Sequence, residues 1–351
     1  MIDHEIFMRR CIELAELGAG NVAPNPMVGA VLVYNGKIIG EGYHEQYGQP
    51  HAEVNCIASV QESDSYLIEE STLYVSLEPC AHFGKTPPCV DLIIAQKIKY
   101  VVIGCRDSFE KVNGAGIGKL IAAGIKVEVG ILEADCINLN KRFFTVHQKK
   151  RPYIILKWAQ SMDGFISAEN FVKTKISNSY TDRLVHKWRS EEGAILVGAN
   201  TAQIDNPTLT TRNWTGKNPV RVIIDESLKL ADDLNVFNSD ASTVVINSRQ
   251  STTKNNIEFY EINRHHSAIE AVLQYLYKKQ LNSVMIEGGS KTLQYFINAG
   301  LWDEARVITN TNLFLNKGVT APLFNYQKLA STVNIFTDRI DFFLNNTNDP
   351  L

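Results

Sequence analysis

Three side chains of the kind that bind transition metals, His51, Cys80 and Cys89, recur in the N-terminal third of the chain, in the segments His51-Ala52-Glu53, Leu77-Glu78-Pro79-Cys80 and Pro87-Pro88-Cys89. If they hold one ion, the chain must return twice to the same point, which constrains the fold more than any other feature. One imidazole and two thiolates suit zinc. Three protein ligands leave a fourth tetrahedral position for water, as in a catalytic site, whereas structural zinc is usually closed by four. Each residue alone reads better as a surface histidine or a small buried hydrophobe; the ordered set does not.

Glu53 points to the reaction. Water on zinc is far more acidic than bulk water, yet displacing an amine from a ring also needs protons at the ring nitrogen and at the departing amine. A carboxylate two residues from the histidine ligand is placed to carry them. His-x-Glu followed by Pro-Cys is the pattern of zinc-dependent hydrolytic deaminases, in which the Glu is not a ligand. The short form has two residues between the cysteines, against eight here, 81–88. A proline precedes each cysteine, and both are expected at or just before helix starts, where thiolates are favoured.

With 351 residues the chain is long for one core and sufficient for two. Apolar spacing predicts a helix over 5–18, strands over 28–34 and 37–43 joined by an Asn35-Gly36 turn, and a helix over 51–60. Strands follow at 72–76, 100–104 and 126–129, with helices at 90–96, 119–123 and 133–147. Lys149-Lys150-Arg151-Pro152 breaks the pattern and sets domain limits of 1–148 and 152–351. Beyond it, strands are predicted at 153–158, 194–198, 220–224, 243–247, 283–286 and 305–309, and helices at 180–190, 266–279 and 290–299. Both halves are therefore α/β. A net charge of −3 with no basic stripe argues against nucleic acid as a partner, and hence against a nucleic-acid base deaminase with an unrelated second domain. No apolar run of about 18 residues is present, so no membrane partner is expected. The N-terminus lacks a signal-peptide core and six cysteines are too few for a disulfide scaffold, so a cytoplasmic setting is expected.

The second half carries three weaker features: KWAQSMDG (157–164), NTAQIDNPTLTTR (200–212) and IEGGSKTL (286–293). In the last, two glycines end a strand before a helix, a geometry that lets backbone N–H groups approach a phosphate. Gly114-Ala115-Gly116-Ile117-Gly118 lacks the spacing of a dinucleotide loop and reads as a tight structural or substrate-side loop.

PNPMVGAVLV (24–33), HAE (51–53), SLEPCAHFGKTPPC (76–89) and NGAGI (113–117), with the three C-terminal segments, resemble the bifunctional riboflavin-biosynthesis deaminase-reductases over nearly the whole chain. Eight residues between the cysteines is that family's form. The resemblance implies a cytidine-deaminase-like α/β/α domain followed by a dihydrofolate-reductase-like α/β domain, with Zn2+ and NADPH as cofactors, and a homo-oligomer. The substrate it implies is a diaminopyrimidinone carrying a ribosylamino 5-phosphate. Its ring 2-amino group is hydrolysed, and hydride then reaches C1′ of the opened ribose.

By matching motif, the resemblance gives His51, Cys80 and Cys89 to zinc and Glu53 to catalysis. It gives Asn25, His44, His82 and Lys85 to substrate, with Asp107 and Asn113 as weaker candidates. In the second domain Arg189, Leu209, Arg212 and Glu287 fall to substrate, the two arginines being suited to its phosphate. Gln160, Thr201, Asp205, Gly289, Ser290, Lys291, Thr292 and Leu293 fall to NADPH. In VKTKISNS (172–179), Lys175 stands where many members carry tryptophan, so a cation replaces a stacking surface.

Overall fold

The computed structural model describes residues 3–84, 87–107, 114–169, 174–263, 265–324 and 327–345. The chain forms two compact units that divide between Lys150 and Arg151.

In the first unit, β1 (Gly29–Tyr34), β2 (Lys37–Tyr43), β3 (Thr72–Leu77), β4 (Tyr100–Cys105) and β5 (Lys126–Val129) form one sheet in the order β2-β1-β3-β4-β5. β1 runs antiparallel to β2 and β3, while β3, β4 and β5 are parallel. Successive side chains point to opposite faces, and both faces are apolar. Ala30, Leu32 and Val75 pack with Ala52, Val90 and Leu120 of α2 (Ala52–Ala58), α3 (Cys89–Ala95) and α4 (Ala115–Ala122). Val31, Val33 and Tyr74 pack with Met8, Cys136 and Phe144 of α1 (His4–Glu16), α5 (Glu133–Leu139) and α6 (Lys141–Lys149). A Cβ on Gly42 would lie 2.2 Å from the Cys56 backbone nitrogen, so glycine there lets β2 seat α2, whose first turn follows His51.

The single helix expected over 133–147 is two, broken at Asn140. That side chain is engaged elsewhere: its Oδ1 accepts from the Met27 N–H and its Nδ2 donates to the Met27 carbonyl, both at 2.8 Å. A buried asparagine serving another segment's backbone outweighs a weak helical preference.

The second unit is built on a ten-stranded sheet. Its strands are β6 (Tyr153–Ser161), β8 (Ala194–Gly198), β9 (Val220–Ile224), β10 (Thr243–Asn247), β11 (Thr252–Lys254), β12 (Ile257–Glu261), β13 (Ser283–Gly288), β14 (Glu304–Asn310), β16 (Lys328–Ile335) and β17 (Asp338–Leu344), in the order β11-β12-β10-β9-β8-β13-β6-β14-β17-β16. The seven from β12 to β14 in that order are parallel. β7 (Phe165–Ala168) and β15 (Gly318–Thr320) pair separately. Leu156, Leu196 and Ile286 face α9 (Ala268–Lys278) and α10 (Ser290–Asn298), and Ile155, Ile195 and Met285 face α7 (Ser179–Glu191) and α8 (Ala199–Asp205). β6, first in the chain, lies beside β13 rather than β8, so strand order reverses there. The carboxyl ends of strands at such a switch point open a crevice where ligands bind.

No helix among the described residues is long and apolar enough to cross a membrane. Both units are mixed α/β, as expected from the sequence.

Candidate active sites

The first unit brings His51, Cys80 and Cys89 together, their ligand atoms all within 4.8 Å of one another. His51 is the N-cap of α2 and Cys89 opens α3. Cys80 is not at a helix start, contrary to expectation; it lies in the loop after β3. It still meets one, because the Cys89 N–H donates to Cys80 Sγ at 3.4 Å. His51 Nδ1 lies 3.6 Å from Cys80 Sγ and 3.3 Å from Cys89 Sγ. In a tetrahedral zinc site with ordinary bond lengths, N and S ligand atoms stand about 3.5 Å apart. The residues therefore fit zinc by donor chemistry and spacing.

Their protonation fits as well. Cys80 is pulled down to about 4, first by the Cys89 thiol and then by His51, against the opposing effect of burial. Cys89 is pushed up by the hydrogen bond with Cys80 and by burial, so without a cation the two sulfurs share one proton. Metal binding displaces such a proton. Glu53, in the first turn of α2 and 3 % exposed, is pushed above the usual carboxylate range by burial and then by the Cys80 charge.

His44 is buried, and its ring lies edge-on to His51 with centroids 5.2 Å apart. Its Nδ1 bonds the Pro50 carbonyl at 3.0 Å, which can only accept. Burial lowers the ring's pKa. The neutral ring therefore carries its proton on Nδ1, and Nε2 accepts from Asn25 Nδ2 at 3.2 Å. His82 is exposed on the loop between the cysteines and Asp107 is buried. Lys85 and Asn113 lie outside the described residues. At the Gly114–Gly118 loop, the first N–H groups of α4 are taken by Glu78, a residue the sequence reading passed over.

In the second unit, a cleft of about 1050 Å³ opens where β6, β8 and β13 end. It is lined by Thr201, Asp205, Leu209, Arg212 and Glu287, by Arg189 and Lys175, and by all of Gly289, Ser290, Lys291, Thr292 and Leu293. Gln160 is not part of the lining; its Oε1 accepts from the Trp158 indole at 2.8 Å. A Cβ on Gly289 would fall 2.9 Å from Thr201 Oγ1, and one on Gly198 2.8 Å from Thr292 Oγ1, so side chains there would fill the cradle. The N-cap of α10 is Gly289 and makes no side-chain cap, leaving the helix start for an anionic group. These features fit a phosphorylated dinucleotide.

Arg189, expected to meet a phosphate, is buried and bidentate to Glu287 instead, with Nε–Oε1 and Nη2–Oε2 at 2.8 and 2.7 Å. Lys157 Nζ stands 3.8 Å from the same carboxylate. Burial works against the Glu287 charge, but Arg189 and Lys157 outweigh it and hold the group at about 2. Lys157, which the sequence shows only as part of KWAQSMDG, lines the cleft together with its β6 neighbours Trp158 and Ala159. Arg212 is exposed and bonds Thr208 Oγ1 at 2.8 Å. Lys175 pairs with Asp182 at 3.4 Å.

Comparison with known proteins bears on both units. Residues 1–105 match the cytidine and deoxycytidylate deaminase zinc-binding region, and residues 152–314 match the RibD C-terminal domain. The chain is 39 % identical to riboflavin biosynthesis protein RibD of Aquifex aeolicus, over 85 % of this chain and 84 % of that protein. It is 38 % identical to the RibD of Bacillus amyloliquefaciens, over 86 % and 82 %. Among solved structures, the diaminohydroxyphosphoribosylaminopyrimidine deaminase/5-amino-6-(5-phosphoribosylamino)uracil reductase of Thermotoga maritima superposes with a TM-score of 0.89 at 37 % identity, covering 97 % of this chain and 98 % of that one. Acinetobacter baumannii RibD gives 0.86 at 30 % identity, with the same coverage. The chain belongs to the RibD family of bifunctional riboflavin-biosynthesis deaminase/reductases.

Proposed function

We propose that residues 1–148 deaminate 2,5-diamino-6-(5-phosphoribosylamino)pyrimidin-4(3H)-one and that residues 152–351 then reduce the ribosyl group of the product to ribityl with NADPH. The observation that carries the first step is the convergence of His51 Nδ1 with two sulfurs at tetrahedral zinc spacing beside a buried carboxylate.

His51, Cys80 and Cys89 hold the zinc, which when bound supplies an acidified water and polarises it for attack. Glu53 is kept protonatable by its burial and moves the protons, first to the ring nitrogen and then to the departing amine. Asn25, held by neutral His44, offers an amide to the pyrimidine edge; His82 and Lys85 serve the phosphorylated end.

In the second unit NADPH supplies the hydride. Thr201, Asp205 and the residues 289–293 bind it, with the α10 start receiving a phosphate. Gln160 serves this site by fixing the Trp158 ring, and Lys175 faces the cofactor with a charge. Arg212 holds the substrate 5-phosphate, while Arg189 and Lys157 keep Glu287 ionised and oriented toward the sugar, against which Leu209 packs. We also infer a homo-oligomer in the cytoplasm; a reducing setting keeps Cys80 and Cys89 available to metal.

The test is metal removal and return. Dialysis against a chelator should abolish ammonia release, and one equivalent of zinc should restore it while NADPH oxidation with the deaminated substrate stays constant throughout. Ammonia release that survives complete zinc loss overturns the mechanism.

A further inference from the structure

One buried carboxylate beside the metal site has no part in that chemistry. Glu78 is 4 % exposed and stands two residues before Cys80. Its Oε2 accepts from the backbone N–H groups of Asp107 at 3.3 Å and Gly114 at 3.1 Å, and its Oε1 from Gly116 at 3.0 Å and Ile117 at 3.2 Å. α4 begins after Gly114, an N-cap in the left-handed region at φ 81° with no side chain to offer its own first turn. Glu78 supplies that cap from a distant strand and sets a negative charge at the positive helix end.

The same residue is fixed on its other side. The Glu78 N–H donates to the Cys105 carbonyl at 3.0 Å, extending the β3–β4 ladder by one step. Pro79 follows, and a Cβ on Gly116 would fall 2.2 Å from the Pro79 carbonyl oxygen, so the start of α4 lies directly against that peptide. Cys80 comes next; its carbonyl accepts from Val90 N–H at 3.2 Å and its sulfur from Cys89 N–H at 3.4 Å. The stretch from the end of β3 to the metal ligand is thus bonded at Glu78 and Cys80 and packed against α4 at Pro79, and the Glu78 carboxylate makes four of these bonds.

We propose that Glu78 is a positioning residue of the zinc site: it locks the exit of β3 so that Cys80 Sγ meets His51 and Cys89, and it couples that ligand to the start of α4. The inference rests on the reading of His51, Cys80 and Cys89 as zinc ligands. A residue that merely caps α4 lowers the stability of the first unit without changing zinc affinity per folded molecule. A positioning residue lowers the affinity itself.

Glu78→Gln keeps the size of the side chain but leaves one acceptor oxygen, and turns an NH2 group toward two N–H donors. Zinc affinity is measured on the full chain by competition with a chromogenic chelator, at a temperature where circular dichroism shows the variant folded. The expected loss is at least tenfold, within the range of residues that orient metal ligands. The cobalt(II)-loaded variant should show weakened thiolate–metal absorption, its zinc form a lower deaminase kcat at nearly constant KM, and Glu78→Asp partial recovery. Zinc affinity equal to that of the unaltered protein overturns the proposal. Cys80→Ser separates the two layers: it must lose zinc more severely, and if it does not, the ligand reading falls and the role of Glu78 with it.

Should Glu78→Gln fail to fold, reciprocity supplies the test in the unaltered protein. If the carboxylate couples α4 to the metal, zinc must tighten its bonds as much as they tighten zinc. Hydrogen exchange at the Gly114, Gly116 and Ile117 amides should slow at least tenfold on adding zinc; equal rates with and without zinc overturn the coupling.

Discussion

Arg189 and Glu287 meet side-on, the guanidinium Nε and Nη2 lying 2.8 and 2.7 Å from the two carboxylate oxygens, and both side chains are about nine-tenths buried in the wall of the reductase cleft. An arginine the sequence offers to a phosphate is thereby tied to a carboxylate, and the carboxylate is kept charged in the wall of the cleft. Removing the arginine leaves Lys157, at 3.8 Å, as the ion-pair partner of Glu287 among the described residues. Arg189→Ala should therefore destabilise the second unit by roughly 3–5 kcal/mol, as uncompensated buried charges do, and NADPH oxidation should fail while ammonia release persists. Thermal unfolding with the two activities measured side by side checks this.

The same pair makes stability depend on acid. Glu287 sits at about 2 in the folded chain against an ordinary 4.5. A depressed carboxylate contributes its stability above the unfolded pKa, and that contribution is lost as pH falls through the window from 4.5 toward 2, on the order of 3 kcal/mol. Acid unfolding of Glu287→Gln should show a shallower slope in that window than the unaltered protein. Parallel curves would contradict it.

Glu53→Gln preserves shape and burial but cannot transfer a proton. Zinc content should be unchanged and deamination should fall by roughly 10²–10⁴. NADPH oxidation with deaminated substrate should be unaffected.

The cradle in the second unit can be probed by one methyl group. Gly289 has a φ of −73°, outside the left-handed region, and Gly289→Ala places a Cβ 2.9 Å from Thr201 Oγ1. The KM for NADPH should rise about tenfold, ~1.4 kcal/mol, with zinc affinity and deaminase rate unchanged. Steady-state kinetics of both activities decide it.

The candidate metal-binding residues and the main strands are legible because their signals are local. A metal-binding side chain is chemically distinctive, and β8 is a continuous apolar run buried on both faces, as is Val284–Ile286 of β13. What stayed illegible depends on partners far away in sequence. Nothing near Asn140 shows that it will bond Met27 and break a helix, 113 residues apart. Glu78 reads as one more residue before Cys80 until α4 is folded over it. The pairing of Arg189 with Glu287 spans 98 residues, so a phosphate ligand and a carboxylate partner look alike in sequence. β16 is illegible because it is exposed along nearly its whole length and its polar–apolar alternation is confined to Thr332–Ile335, and β11 and β15 because three residues carry no period.

The central claim is that two separate sites act in order on one substrate, and a coupled assay tests it directly. Zinc-loaded protein is given the diaminopyrimidine ribosylamino phosphate, and ammonia and NADPH are followed together. Ammonia should appear at full rate without NADPH, and NADPH added later should be oxidised one for one with the deaminated product. NADPH oxidation that runs ahead of ammonia release, or ammonia release that requires NADPH, would contradict the order of the two steps.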